Sequence, residues 1–190
     1  MVVVSKYNGF TIIESMVALA IMLTLLSIGV PSLNNFIVYT RVNNEIFTLH
    51  RLILITRNSA LSNNTSVTLC PLNSQGKCKN LWHQELSVFT DINNNKVYEP
   101  ALNEQLVAQK NAIKVGDKLQ YGKTRIGLTY APTGHLLGWG QNATFSYCPE
   151  YHNDKNRGIV VRNSGRAYVS AANKTNGKHV RRTGTKIKCF

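Results

Sequence analysis

A run of 21 residues from Phe10 to Val30 carries a single charge, Glu14. No other stretch limits so tightly what this chain can fold into. At about 1.5 Å of rise per residue, a helix over this run reaches ~30 Å, the thickness of a bilayer's hydrocarbon core. Ala, Leu, Met and Ile dominate it, which suits a helix. Pro31 follows, a residue that kinks or ends a helix. The flank ahead of the run carries Lys6 and no acid, which favours a cytoplasmic N-terminus.

A secretory signal peptide fits this run poorly. Its apolar core spans about 7–15 residues, with a small-residue cleavage site beyond it. Here the run is longer, the small residue Gly9 lies before it, and Glu14 interrupts it. A plain membrane anchor explains the length but leaves Glu14 costly and idle, since a carboxylate in a membrane helix is expensive and as a rule functional. Gly9 followed by Phe10, Thr11 and Glu14, then an apolar helix and Pro31, resembles the N-terminus of type IV pilins. That resemblance implies a leader over residues 1–9, cut between Gly9 and Phe10 by a prepilin peptidase, and N-methylation of Phe10. Cleavage leaves an ammonium at Phe10 that a filament must bury. A neighbouring subunit's Glu14 at matching depth neutralises it, which is favourable against leaving both charges unpaired in a low dielectric. The plainer alternative is that Glu14 snorkels to the headgroups near the helix end.

Beyond Pro31 the helical pattern resumes. Val38, Val42, Ile46, Leu49 and Ile53 step by three or four residues and share one helical face. Ser62-Asn63-Asn64 closes the pattern. The segments expected are therefore 1–9 as leader, 10–33 as transmembrane or filament-core helix, 34–62 as an amphipathic half, and 63–190 as a globular head. In the head, short runs separated by Gly, Asn and Pro predict seven strands: 67–70, 86–90, 105–109, 125–130, 144–148, 158–162 and 167–170.

Cys70, Cys78, Cys148 and Cys189 all lie beyond the anchor, on the side that would be translocated into an oxidising compartment. Four cysteines allow three pairings. Cys70–Cys78 with Cys148–Cys189 is favoured, because the first closes a short Pro/Asn/Gly loop and the second ties down the C-terminus. Zinc has little support, since no CxxC exists.

The head motifs follow in order: Trp82; Ser87-Val88-Phe89-Thr90-Asp91 with an Asn-rich turn; Tyr130-Ala131-Pro132-Thr133-Gly134; Thr144 to Cys148; and Gly158 to Arg166. Together they are similar to the GspH/FimT class of minor pilins and pseudopilins, which includes FimU. The class implies an α+β type IV pilin fold, in which a long N-terminal helix packs on an antiparallel two-sheet β-rich head. It implies incorporation at low abundance near a filament tip, with other pilins or pseudopilins as partners. Its members sit as single-pass proteins in the bacterial inner membrane, head in the periplasm, before joining a pilus or pseudopilus.

The formal charge of +13 falls to +12 once Lys6 leaves with the leader. That balance points to an anionic partner such as nucleic acid or a lipid surface, or to solubility alone. From Lys155 to Phe190 there are ten Lys/Arg and no Asp or Glu. Long cations along a flexible Gly/Asn-rich tail can follow a phosphate backbone and release counterions without reading sequence. The candidate DNA contacts are Arg162, Arg166, Lys178, Arg181, Arg182, Lys186 and Lys188, with Tyr168, His179 and Phe190 as candidate stacking groups. Some FimT proteins of the resembling class are DNA receptors in natural transformation and use a late Gly-Arg-x-Arg motif. Here Gly165-Arg166-Ala167-Tyr168 matches its first two residues, and Tyr168 stands in place of the second Arg. The competing reading makes Gly165 a hairpin turn and Arg166 a solvated cation. The chain is then a structural minor pilin, or a type II secretion pseudopilin that primes filament assembly.

Asp91-Ile92-Asn93-Asn94-Asn95 spaces oxygens as calcium loops do, but Lys96 occupies the usual glycine position and Leu102 that of the last acid. An Asn-stabilised hairpin turn is the preferred reading. No metal or cofactor is expected. Catalytic spacings such as Gly-x-Ser-x-Gly or His-Glu-x-x-His do not occur, and the five histidines are scattered.

Overall fold

The computed structural model describes residues 9–138, 142–173, 175 and 177–189. Two compact units divide it, residues 1–39 and 40–190. One helix, α1 (Ile12–Ser62), contributes to both, with Pro31 inside it. Its start is chemically marked, because Thr11 caps the first turn (below). Its N-terminal portion is long and apolar enough to cross a membrane. There the large apolar side chains lie exposed, among them Leu23 at 66% and Ile28 at 76%. Pro31 removes one amide from the helical ladder. The helix nevertheless continues through it rather than ending.

In the second unit, the amphipathic face predicted by the spacing is the buried one. Val42, Ile46, Leu49 and Ile53 are at most 1% exposed. Burying each contributes about 2 kcal/mol. They pack within a head in which the described residues form ten strands. These are β1 (Val67–Cys70), β2 (Leu86–Thr90), β3 (Leu106–Lys110), β4 (Lys118–Tyr121) and β5 (Leu128–Tyr130), then β6 (Ala143–Cys148), β7 (Arg157–Val161), β8 (Ala167–Val169), β9 (Ala171–Ala172) and β10 (His179–Val180). One antiparallel sheet has the order β3-β2-β1-β5, and a second has the order β4-β6-β7-β8. The short β9–β10 pair forms a separate ribbon. All seven strands expected from sequence are present, with ends shifted by up to three residues, and β4, β9 and β10 are additional.

Alternation along β4, β6 and β7 sorts the second sheet into two faces. Leu119, Tyr121, Phe145, Tyr147, Ile159 and Val161 point into the core and are at most 3% exposed. Tyr121 stacks on Phe145 at 4.1 Å, and Trp82 meets both edge-on at 5.3 and 5.0 Å. Trp82 Nε1 donates to the Arg125 carbonyl, which satisfies its one donor.

Two charge pairs tie α1 to strands within this unit. Asp117, fully buried at its side chain, accepts from Arg41 Nε and NH2, from the Tyr147 hydroxyl and from the Glu150 amide. Lys110 on β3 bonds Glu45 at 2.6 Å. Burial pushes the Tyr147 phenol well above its usual range, and its hydrogen bond to Asp117 adds to that.

The Asn-rich loop is a turn stabilised by its own side chains. Asn93 Oδ1 accepts from the Asn95 amide, and Asn95 Oδ1 accepts from Val97. Both Asn side chains turn their Nδ2 groups toward Glu99, at 3.0 and 2.7 Å. Those two donors, Asn93 first, hold the Glu99 carboxyl below its ordinary range.

Candidate functional site

At the N-terminal end, Glu14 reaches back to the start of its own helix. Its Oε2 accepts from the Thr11 amide and from Thr11 Oγ1, both at 2.9 Å, while Thr11 Oγ1 accepts from the Glu14 amide. This is a capping box, with Thr11 as N-cap and Glu14 three residues on. The Thr-x-x-Glu spacing announces it, and it gives Glu14 a local role beside the intermolecular and headgroup roles expected from sequence. Gly9 and Phe10 precede the helix and are exposed.

The C-terminal cations sort by strand parity. Arg157 shares the inward face with Ile159 and Val161, and it is 8% exposed. Its guanidinium bonds Asn43 Oδ1 and lies 5.4 Å from the centre of the Phe47 ring, so it belongs to the packing between β7 and α1. The run of ten cations is thus not one surface. Arg162 has the opposite parity and faces outward with Val160. Its amide bonds the Arg166 carbonyl across the hairpin, which places both residues at one turn.

Gly165 is required by packing. It sits at φ +75°, and a Cβ there would lie 1.9 Å from the Gly134 carbonyl oxygen. The Tyr130 hydroxyl donates to the Gly165 carbonyl, and Arg57 Nε donates to the Gly134 carbonyl. Two turns and the end of α1 are locked together here, and Arg166 is left exposed beside them.

Tyr168 organises the arginines instead of offering a bare ring. Arg182 lies 4.4 Å from its ring centre and Arg162 lies 5.9 Å away. Each contact is a cation–π attraction of about 0.5–1 kcal/mol at an exposed site. A concavity of about 510 Å³ opens beside them, lined by Thr144, Val160, Arg162, Tyr168 and Arg181 among others. Arg181 Nε is buried and has no hydrogen-bond partner among the described residues. Lys178, Lys186 and Lys188 are exposed on the same stretch but line none of this concavity. Lys174 and Phe190 lie outside the described residues.

The described residues of the Gly- and Asn-rich C-terminal stretch are fastened to the second sheet at several points. Cys148 is bonded to Cys189, and Cys70 to Cys78. Ile187, 6% exposed, packs on the outer face of the second sheet. A Cβ on Gly158 would meet Ile187 Cδ1 at 3.0 Å and the Phe145 carbonyl at 2.6 Å, so β7 needs a glycine where the tail lies down. Ser170 Oγ accepts from the Gly158 amide, and the Ser170 carbonyl meets His179 Nδ1 at 3.1 Å. Burial lowers the His179 pKa, the carbonyl contact opposes that, and nearby Arg157 lowers it further. His179 is therefore a half-buried fastener of the tail and not a surface stacking group.

Residues 47–165 match the family described as type II transport protein GspH. That is more than half of the chain. The chain belongs to the GspH family. Residues 4–30 match the prokaryotic N-terminal methylation motif. The fold of this GspH-family protein is similar to crystal structures of the type IV minor pilin FimU from Pseudomonas aeruginosa strain PAO1. The P21 form covers 73% of this chain and 95% of FimU, at 15% identity and a TM-score of 0.54. The P65 form covers 75% and 96%, at 14% identity and a TM-score of 0.53. No curated protein matches the chain. Family and fold together make this a type IV pilin-like or pseudopilin-like protein, with one long helix packed on antiparallel sheets. Its apolar N-terminal helix and methylation motif fit an inner-membrane anchor and later assembly with other pilins in a filament.

Proposed function

We propose that this protein is a minor pilin that binds DNA without sequence preference through its basic C-terminal face, in the service of DNA uptake during natural transformation. The observation that carries this reading is the convergence of Arg162, Arg181 and Arg182 around Tyr168, on a tail held down by the Cys148–Cys189 bond. Arginines held in place in this way lose little side-chain freedom when they meet phosphate, and no carboxylate stands between residues 155 and 190 to compete. Tyr168 also answers the missing second arginine of the Gly-Arg-x-Arg pattern. It recruits guanidinium groups from Arg162 and Arg182 to the same place.

The processing proposal accompanies it: cleavage between Gly9 and Phe10, methylation of Phe10, single-pass insertion with the head in the periplasm, and Glu14 in subunit assembly. The role is binding and structural, not catalytic. The alternative is a structural minor pilin or secretion pseudopilin, which would share all of this except the affinity for DNA. A gel-shift titration of the detergent-solubilised chain with duplex DNA at low salt separates them. The DNA reading expects retardation that is largely lost when Arg166, Arg181 and Arg182 are all replaced by Gln. Undetectable affinity, or affinity unchanged in the triple variant, supports the structural reading instead.

A further inference from the structure

The outer face of the second sheet carries a row of cross-strand neighbours that the C-terminal cations do not account for. The Gly122 amide bonds the Thr144 carbonyl at the end of the β4–β6 pair; Thr144 pairs with Val160, and Val160 pairs with Tyr168. The row therefore runs perpendicular to the strands across the full sheet. With neighbouring strands about 4.8 Å apart, its three steps cover about 14 Å. Gly122, Thr144 and Val160 are small, so the row forms the floor of a furrow.

Three concavities follow this line. The first, about 770 Å³, is lined by His83, Lys118, Gln120, Gly122 and Lys123 among others. It shares Gln120, Gly122 and Lys123 with a second, of about 210 Å³. The second shares Ala143, Thr144 and Arg181 with the one beside Tyr168. Lys118, Lys123, Arg162 and Arg182 are exposed along this course. Among the described residues lining it, Asp117 is the carboxylate; it is 5% exposed and already bonded to Arg41, while the Glu150 carboxylate lies beside Gly116 at the Lys118 end. Arg181 stands at the junction of the last two concavities.

We infer that one phosphodiester strand of DNA crosses the sheet along this furrow, from the Arg162–Tyr168–Arg182 cluster past Arg181 to Lys123 and Lys118. The inference rests on the DNA reading and extends it to residues outside the C-terminal stretch. The neutral floor sets shape, so a bulky uncharged side chain there blocks the strand as effectively as loss of a cation.

The test is fluorescence anisotropy of the full chain in detergent micelles with a 30-base-pair duplex, over a salt series. The variants are Lys123→Gln, Val160→Trp, and Arg51→Gln as a control on the exposed side of α1. Thermal unfolding checks that each folds. The expected result is that Lys123→Gln shallows the slope of log affinity against log salt by about 0.9. Val160→Trp is expected to weaken binding at least tenfold with charge unchanged, and Arg51→Gln to leave both unaltered. If wild type binds but Lys123→Gln and Val160→Trp behave like Arg51→Gln, the furrow is wrong and the arginine cluster alone stands. If wild type does not bind at all, the DNA reading falls and the furrow with it. Should Val160→Trp fail to fold, the salt slope of Lys123→Gln decides.

Discussion

At the scale of single residues, Gly165 and His179 show what the C-terminal motif is made of. Gly165 reads from sequence as half of a Gly-Arg pair, and its neighbour carries the charge. The glycine itself answers to the carbonyl of Gly134 and to a positive φ. Gly165→Ala should lower stability by about 2 kcal/mol, read by chemical denaturation, because strain and the close approach act together. His179 is held below its ordinary pKa of 6.5 by burial first. The folded state thus binds less proton than the unfolded chain just below that value. Stability contributed by neutral His179 is present above pH 6.5 and is lost as pH falls from there toward its folded pKa. Melting temperature should therefore drop between pH 7 and pH 5, and His179→Asn should flatten that drop. Parity would have separated the arginines in advance. Arg157 is two residues before Ile159, whereas Arg162 is two after Val160, and alternation sends one in and the other out.

At the scale of elements, the strongly patterned segments were legible and the short ones were not. The helix, β1 and β2 follow from apolar spacing and dense apolar runs. β4 escaped because its four residues carry two apolar side chains, Leu119 and Tyr121, and their alternation is too brief to stand out. β9 and β10 have two residues each and pair only with one another among the described strands, too short a pattern to stand out in sequence. The meeting of Arg162 with Arg182 was likewise invisible, since sheet register and the tail's return path bring both to Tyr168. The capping box at Thr11 and Glu14 is legible in the Thr-x-x-Glu spacing. Within the head, Asp117 fastens β4 to α1 through Arg41 and to β6 through Tyr147. Asp117→Ala removes the acceptor for both, together with that of the Glu150 amide. It should destabilise the head by about 3 kcal/mol in denaturant titrations, as expected for breaking a buried charge pair from one side.

At the scale of the whole molecule, two ends divide the labour. The N-terminal end is built for membrane and filament, and the apolar side chains exposed along residues 12–37 need partners that a lone chain does not supply. Glu14→Ala should leave leader cleavage and head folding intact while reducing incorporation into filaments, scored by immunoblot of sheared pili. Normal incorporation would return Glu14 to its capping role alone. The C-terminal end concentrates cations on a disulfide-closed surface, which we propose holds DNA. The most direct check is the affinity of the full chain for duplex DNA between 50 and 200 mM salt, reported as the slope of log affinity against log salt. Contacts from Arg162, Arg166, Arg181 and Arg182 alone predict a slope of about −3.6, steeper by about 0.9 for each of Lys118 and Lys123 that also meets phosphate, and reduced by about 2.7 when Arg166, Arg181 and Arg182 become Gln. A slope near zero, or one indifferent to those three substitutions, would contradict the account.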